Sequence, residues 1–126
     1  MCKFEIEIKE NIVVTPKDID DIMSTALEGG INYWCDKVET IGDCLGKYAS
    51  EQIARGGILR LHDSEENKIY ELTIDKLLNG IKLAYVGRHY SLYNWCNGRE
   101  LDTCQIDAEI ADVIVQFALF GEIVYG

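Results

Sequence analysis

TPKDIDDIMSTALEGG, residues 15–30, decides how the chain begins to fold. Thr15 is a capping residue, Pro16 suits the first helical position, and Asp18 places an acid in the first turn, where the helix dipole favours it. Ile19, Ile22, Met23, Ala26 and Leu27 then recur at helical spacing, and Gly29-Gly30 is read as the stop. Upstream, Phe4, Ile6 and Ile8 alternate with charged residues as in a half-buried strand, which Ile12-Val13-Val14 continues. Downstream, a strand is predicted over 36–41 and a short helix over 49–55, ended by Gly56-Gly57. Ile58, Leu59 and Leu61, then Ile69, Tyr70, Leu72 and Ile74, flank the polar run 63–67, which reads as a hairpin. Thr73 is expected to cap a helix that turns Leu77, Leu78, Ile81 and Ala84 inward. A last helix runs from about Asp107 to Phe120 and ends at Gly121. Strands and helices alternate without a regular βαβ beat, and no repeat or linker interrupts them. The prediction is one α+β domain over 1–126, with a mostly antiparallel sheet and three to four helices.

Composition limits the function classes. The 126 residues carry 12 basic and 22 acidic side chains, a net charge of −10. A surface this acidic repels phosphate backbones, so direct nucleic-acid binding is disfavoured. The same charge suits a basic partner, including the nucleic-acid groove of another protein. No run of about 18 apolar residues is present, so no spanning helix is expected. The first residues lack the apolar core of an export signal, and the five cysteines, Cys2, Cys35, Cys44, Cys96 and Cys104, form no C-x-x-C pair. A reduced, cytoplasmic protein with neither disulfides nor metal nor cofactor is the expectation.

Three stretches taken together resemble a known group: ALEGGINYW (26–34), ASEQIARGG (49–57), and IDAEIAD (106–112) running into FALFGEIVYG (117–126). The chain resembles small accessory proteins encoded by phages, prophages and mobile elements of Gram-positive bacteria. The resemblance implies a protein made in the bacterial host cytoplasm, from a class of genes that often encode inhibitors of host defence. It implies no catalytic residues.

The charge is unevenly spread. From Lys76 to Arg99 there is no acid, and Lys76, Lys82, Arg88 and Arg99 contribute +4, leaving −14 for the rest of the chain. Arg88, His89, Tyr90, Tyr93, Trp95, Asn97 and Arg99 combine planar cations, rings and polar groups, as a site for one small anionic nucleotide requires. The alternative is that the rings pack the core and the bases pair with nearby acids. Asn32, Tyr33 and Trp34, directly after the double glycine, are a second candidate pocket wall, or else pack the helix onto the sheet. Catalytic signatures are absent: neither His62-Asp63 nor His89 belongs to a metal or nucleophile motif. Asp18, Asp20 and Asp21 read as a solvated first turn, and Asp107, Glu109 and Asp112 as the polar face of the last helix. Ile123-Val124-Tyr125 reads as a strand, added to the sheet or to another subunit's edge.

Three functions are consistent with these features. The first is a non-enzymatic anti-defence protein that sequesters a nucleotide immune signal in the basic, aromatic segment, with homo-oligomers possible. The second is an acidic, anti-CRISPR-like inhibitor that mimics nucleic acid and blocks a defence nuclease. The third is a hydrolase of a nucleotide signal. The uneven charge favours the first.

Overall fold

A computed structural model of the chain describes residues 12–86, 96–97 and 100–126, the side chains of 96–97 excepted. The predicted strand at Phe4–Ile8 lies outside them. So do Arg88, His89, Tyr90, Tyr93, Trp95 and Arg99.

Thr15 and Asp18 form the reciprocal cap anticipated for the first helix. The Asp18 amide donates to Thr15 Oγ1 at 3.2 Å and the Thr15 amide to Asp18 Oδ2 at 2.9 Å. Helix α1 spans Pro16–Thr25 and buries Ile19, Ile22 and Met23. The helical run ends at the double glycine as read, but its last turn widens into a π turn over Ala26–Gly30. The cause is packing. A Cβ at Gly30 would sit 2.6 Å from the carbonyl oxygen of Ala108, so this turn rests on backbone that only glycine can approach. The first-turn acids are also less solvated than expected, because Asp20 meets Arg55 at 3.4 Å and Asp21 holds both Lys17 at 3.0 Å and the Thr103 hydroxyl at 2.9 Å.

Strands β1 (Cys35–Ile41), β2 (Ile58–Asp63) and β3 (Ile69–Leu72) form an antiparallel sheet in that order. Leu59, Leu61 and Asp63 alternate inward along β2, while Arg60 and His62 face the other side and pair with Glu71 and Glu39. Between β1 and β2 the predicted helix is a single 3₁₀ turn, Ala49–Glu51. The buried Gln52 closes this connection, accepting from the Leu45 amide at 2.9 Å and donating to the Asp43 carbonyl at 3.0 Å.

Helix α2 (Ile74–Val86) buries Leu77, Gly80, Ile81 and Ala84, but Leu78 is 40% exposed, contrary to expectation. The buried stripe is narrow because α2 lies almost against α3 (Ala108–Phe120). A Cβ at Gly80 would stand 2.5 Å from the carbonyl oxygen of Ile114 and 2.8 Å from the Ala118 amide. Leu78, about 100° round the helix from Leu77, falls outside that contact. Two short strands, β4 (Cys96–Asn97) and β5 (Glu100–Leu101), pair with each other, and Val13 bridges to Glu100 in parallel. Asp107 caps α3 through the Ile110 amide at 2.9 Å, and Gly121 ends it with φ +72°. Together these elements make a mixed α+β fold with helices packed on an antiparallel sheet.

Replacing Gly80 with alanine forces the two helix backbones apart. Gly80→Ala is expected to lower unfolding stability by about 1–3 kcal/mol, measured by urea denaturation, whereas Gly29→Ala, with no atom within 4 Å of the added Cβ, stays close to the parent.

Candidate functional site

Helix α3 is apolar on almost every side: Ile110, Val113, Ile114 and Val115 are buried, and Phe117 and Leu119 pack against the core. A helix of this kind has no solvated face in its middle turns. Asp112, read from sequence as part of a polar face, is therefore 6% exposed, and Gln116, one turn on, is fully buried.

Neutral donors meet the Asp112 carboxylate from the chain that follows the π turn. Tyr33 donates its hydroxyl to Oδ2 at 2.5 Å, and Trp34 donates its indole Nε1–H to Oδ1 at 2.8 Å. Gln116 Nε2 donates to the same Oδ1 at 3.0 Å. The Gln116 amide then behaves as a piece of backbone toward the tail. Its Oε1 accepts the Val124 and Tyr125 amides, both at 2.8 Å, and its Nε2 lies 3.1 Å from the Tyr125 carbonyl. This explains why residues 122–126 do not form the predicted strand: a buried side-chain amide supplies the partners a sheet edge would have offered.

Tyr125 carries the network to the sheet. Its ring stacks on Trp34 with centroids 5.4 Å apart and planes 17° apart, and its hydroxyl donates to Asp63 Oδ2. Asp63, 2% exposed, also accepts the Glu65 amide at 2.8 Å and the Glu66 amide at 3.3 Å, which shapes the β2–β3 turn. The hydrogen bond to Asp63 is the main cause of the raised pKa of the Tyr125 phenol, with burial second.

Between the π turn, α3 and the tail lies a cleft of about 230 Å³. Tyr33, Glu109, Asp112, Val113, Ile123 and Gly126 are among its walls. Among the described residues Glu109 and Asp112 are its only charged side chains, and no lysine, arginine or histidine lines it. Of the residues singled out from sequence, Tyr33 is half exposed and lines this cleft, Asn32 is exposed, and Trp34 is sealed in the core. Asn97 is placed in β4 opposite Glu100. The other basic and aromatic candidates lie outside the described residues.

The remaining chemistry-bearing groups are scattered. His62 bonds Glu39 across the outer face of the sheet, which holds the Glu39 carboxyl below its ordinary range. Cys35 is buried, and burial raises its thiol pKa. Among the described residues no three His, Cys, Asp or Glu side chains are grouped so as to hold a metal ion, and no helix is long and apolar enough to cross a membrane. No known family, curated protein or solved structure matches the chain.

Two outcomes test this geometry. Asp112→Leu strands the buried Trp34 indole, while Gln116 Nε2 keeps the Tyr125 carbonyl, and is expected to cost about 1–3 kcal/mol in urea unfolding, with Asp112→Asn costing less. Because the folded-state pKa of Tyr125 is raised, its contribution to stability is complete below the unfolded value near 10 and lost as pH rises through the folded value. In an alkaline titration followed by phenolate absorbance, Tyr125 should therefore ionise late in the folded chain, and Tyr125→Phe should reduce the late-ionising fraction by one tyrosine.

Proposed function

We propose that the chain is a non-catalytic acidic inhibitor that acts by occupying a basic surface of a partner protein, the nucleic-acid groove of a host defence nuclease being the partner class that fits. One observation carries this reading: among the described residues the acids outnumber the bases, and six exposed acids are left without an ion pair. Asp36, Asp43, Glu65, Asp75, Glu109 and Glu122 are exposed and form no ion pair among the described residues. Both described arginines, Arg55 and Arg60, are already paired with acids of the chain itself. Uncompensated negative charge spread over a folded surface gives long-range attraction to a basic groove and speeds encounter with it. The resemblance to phage accessory proteins agrees with an inhibitor of this kind.

The acid-free segment 76–99 supports a second reading, capture of an anionic nucleotide. The described cleft does not add to it. Two unit charges of like sign 4 Å apart repel by about 4 kcal/mol at an effective dielectric of about 20, so a phosphate near Asp112 or Glu109 is opposed rather than held.

Cleavage assays with a panel of DNA-guided, RNA-guided and restriction nucleases separate the two readings. The expected result is inhibition of at least one nuclease, weakening steeply as salt rises from about 0.05 to 0.3 M. Combined reversal of Asp36, Asp75 and Glu109 to lysine should reduce it about tenfold or more. Inhibition insensitive to salt and to charge reversal contradicts the reading. So does saturable binding of a cyclic nucleotide or ADP-ribose derivative without any nuclease inhibition, which selects the second.

A further inference from the structure

The geometry points to the cleft as the anchor point of the partner: we propose that it receives a single arginine side chain presented by a basic protein. This rests on the inhibitor reading and specifies where contact is tightest.

Size is the first argument. At about 230 Å³ the cleft is smaller than the roughly 300–1,000 Å³ of sites that enclose whole small molecules, and is suited to one long side chain. The walls divide in the way such a side chain needs. Val113 and Ile123 offer apolar surface to an aliphatic stem, while Glu109 and Asp112 offer carboxylates to a cationic head.

The state of the two acids is the second argument. Glu109 is exposed and has no ion pair among the described residues. Among the described residues Asp112 has only neutral donors, two on Oδ1 and one on Oδ2. A carboxylate accepts about four hydrogen bonds, so capacity for one more donor remains, and no cation among the described residues balances its charge. An arriving guanidinium would supply both, as a charge-assisted bond at a nearly buried oxygen.

Preorganisation is the third. The tail wall is held by both ends of the Gln116 amide and by the Tyr125 stack on Trp34, so the cleft exists before any partner arrives and little ordering is needed on binding.

The test is an NMR titration of the full chain with N-acetyl-arginine amide, and in parallel with the citrulline analogue, which has nearly the same shape and no charge. Saturable shifts centred on the Gly30, Glu109 and Gly126 amides and the Trp34 indole are expected, with citrulline about tenfold weaker or more. Glu109→Gln should weaken arginine binding about fivefold. Gly29→Lys, whose side chain starts in open space, should fill the cleft with its own ammonium group and abolish binding. Scattered, unsaturable shifts, or equal binding of citrulline, would overturn the proposal. The same two variants in the nuclease assay separate the two levels of the account. Undiminished inhibition by both removes the cleft as anchor and leaves the inhibitor reading standing. Arginine bound in the cleft with no nuclease inhibited leaves the cleft standing and removes that reading.

Discussion

A carboxylate taken out of water must be met by donors, and the Asp112 carboxylate sets much of this architecture by that requirement. Burying it without partners would cost several kcal/mol or more. The three donors that satisfy it come from two parts of the chain: Tyr33 and Trp34 from the segment after the π turn, and Gln116 from its own helix. Each donor is thereby fixed, and each fixes something further. Trp34 becomes the floor on which Tyr125 stacks. Gln116 becomes the partner of the tail backbone, and Tyr125 reaches Asp63 and with it the β2–β3 turn. One run of hydrogen bonds therefore ties the helix, the turn, the tail and the sheet, with apolar packing filling the space between them.

The same network gives the molecule its acidic cleft. Had the tail paired as a strand on the sheet, α3 would lack its cover there, and Glu109 and Asp112 would face no enclosed space. With the tail bound to Gln116, the two acids share a hollow with apolar walls. Surface charge and cleft charge then have the same sign, which is why a basic protein with a protruding arginine is a more coherent partner than a free anion. The His62–Glu39 pair and the buried Cys35 have local structural roles and are not part of this arrangement.

Features set by neighbouring residues were legible in the sequence. The Thr15–Asp18 cap, the hairpin around the polar run 63–67, the Asp107 cap and the Gly121 stop all depend on bonds spanning a few residues, and all stand where the sequence places them. The α+β class followed from them. What was misread depended on contacts across the chain. Gly29-Gly30 ends the helix as read, but the π form of that last turn follows from its contact with Ala108, and Leu78 resembles a core residue until the closeness of α2 and α3 narrows the buried stripe. Asp112 was the most informative misreading, and a signal was present: an aspartate and a glutamine four apart, in a helix apolar on its other sides, have nowhere to turn but inward. Asn32, Tyr33 and Trp34 stand out together after the double glycine, yet the role of the two aromatics as donors to that aspartate is set by the fold. Ile123-Val124-Tyr125 has strand composition, and only the Gln116 amide explains why it pairs elsewhere.

Hydrogen exchange of the Val124 and Tyr125 amides and of the Trp34 indole, read together, tests most directly whether the Asp112–Gln116 network holds the tail. If it does, these three protons exchange slowly and in step with the central amides of α3, because they open only when that helix does. Tail amides exchanging at the rate of an unprotected peptide, while α3 stays protected, would show that the tail is not bound and that the cleft it completes does not persist in solution.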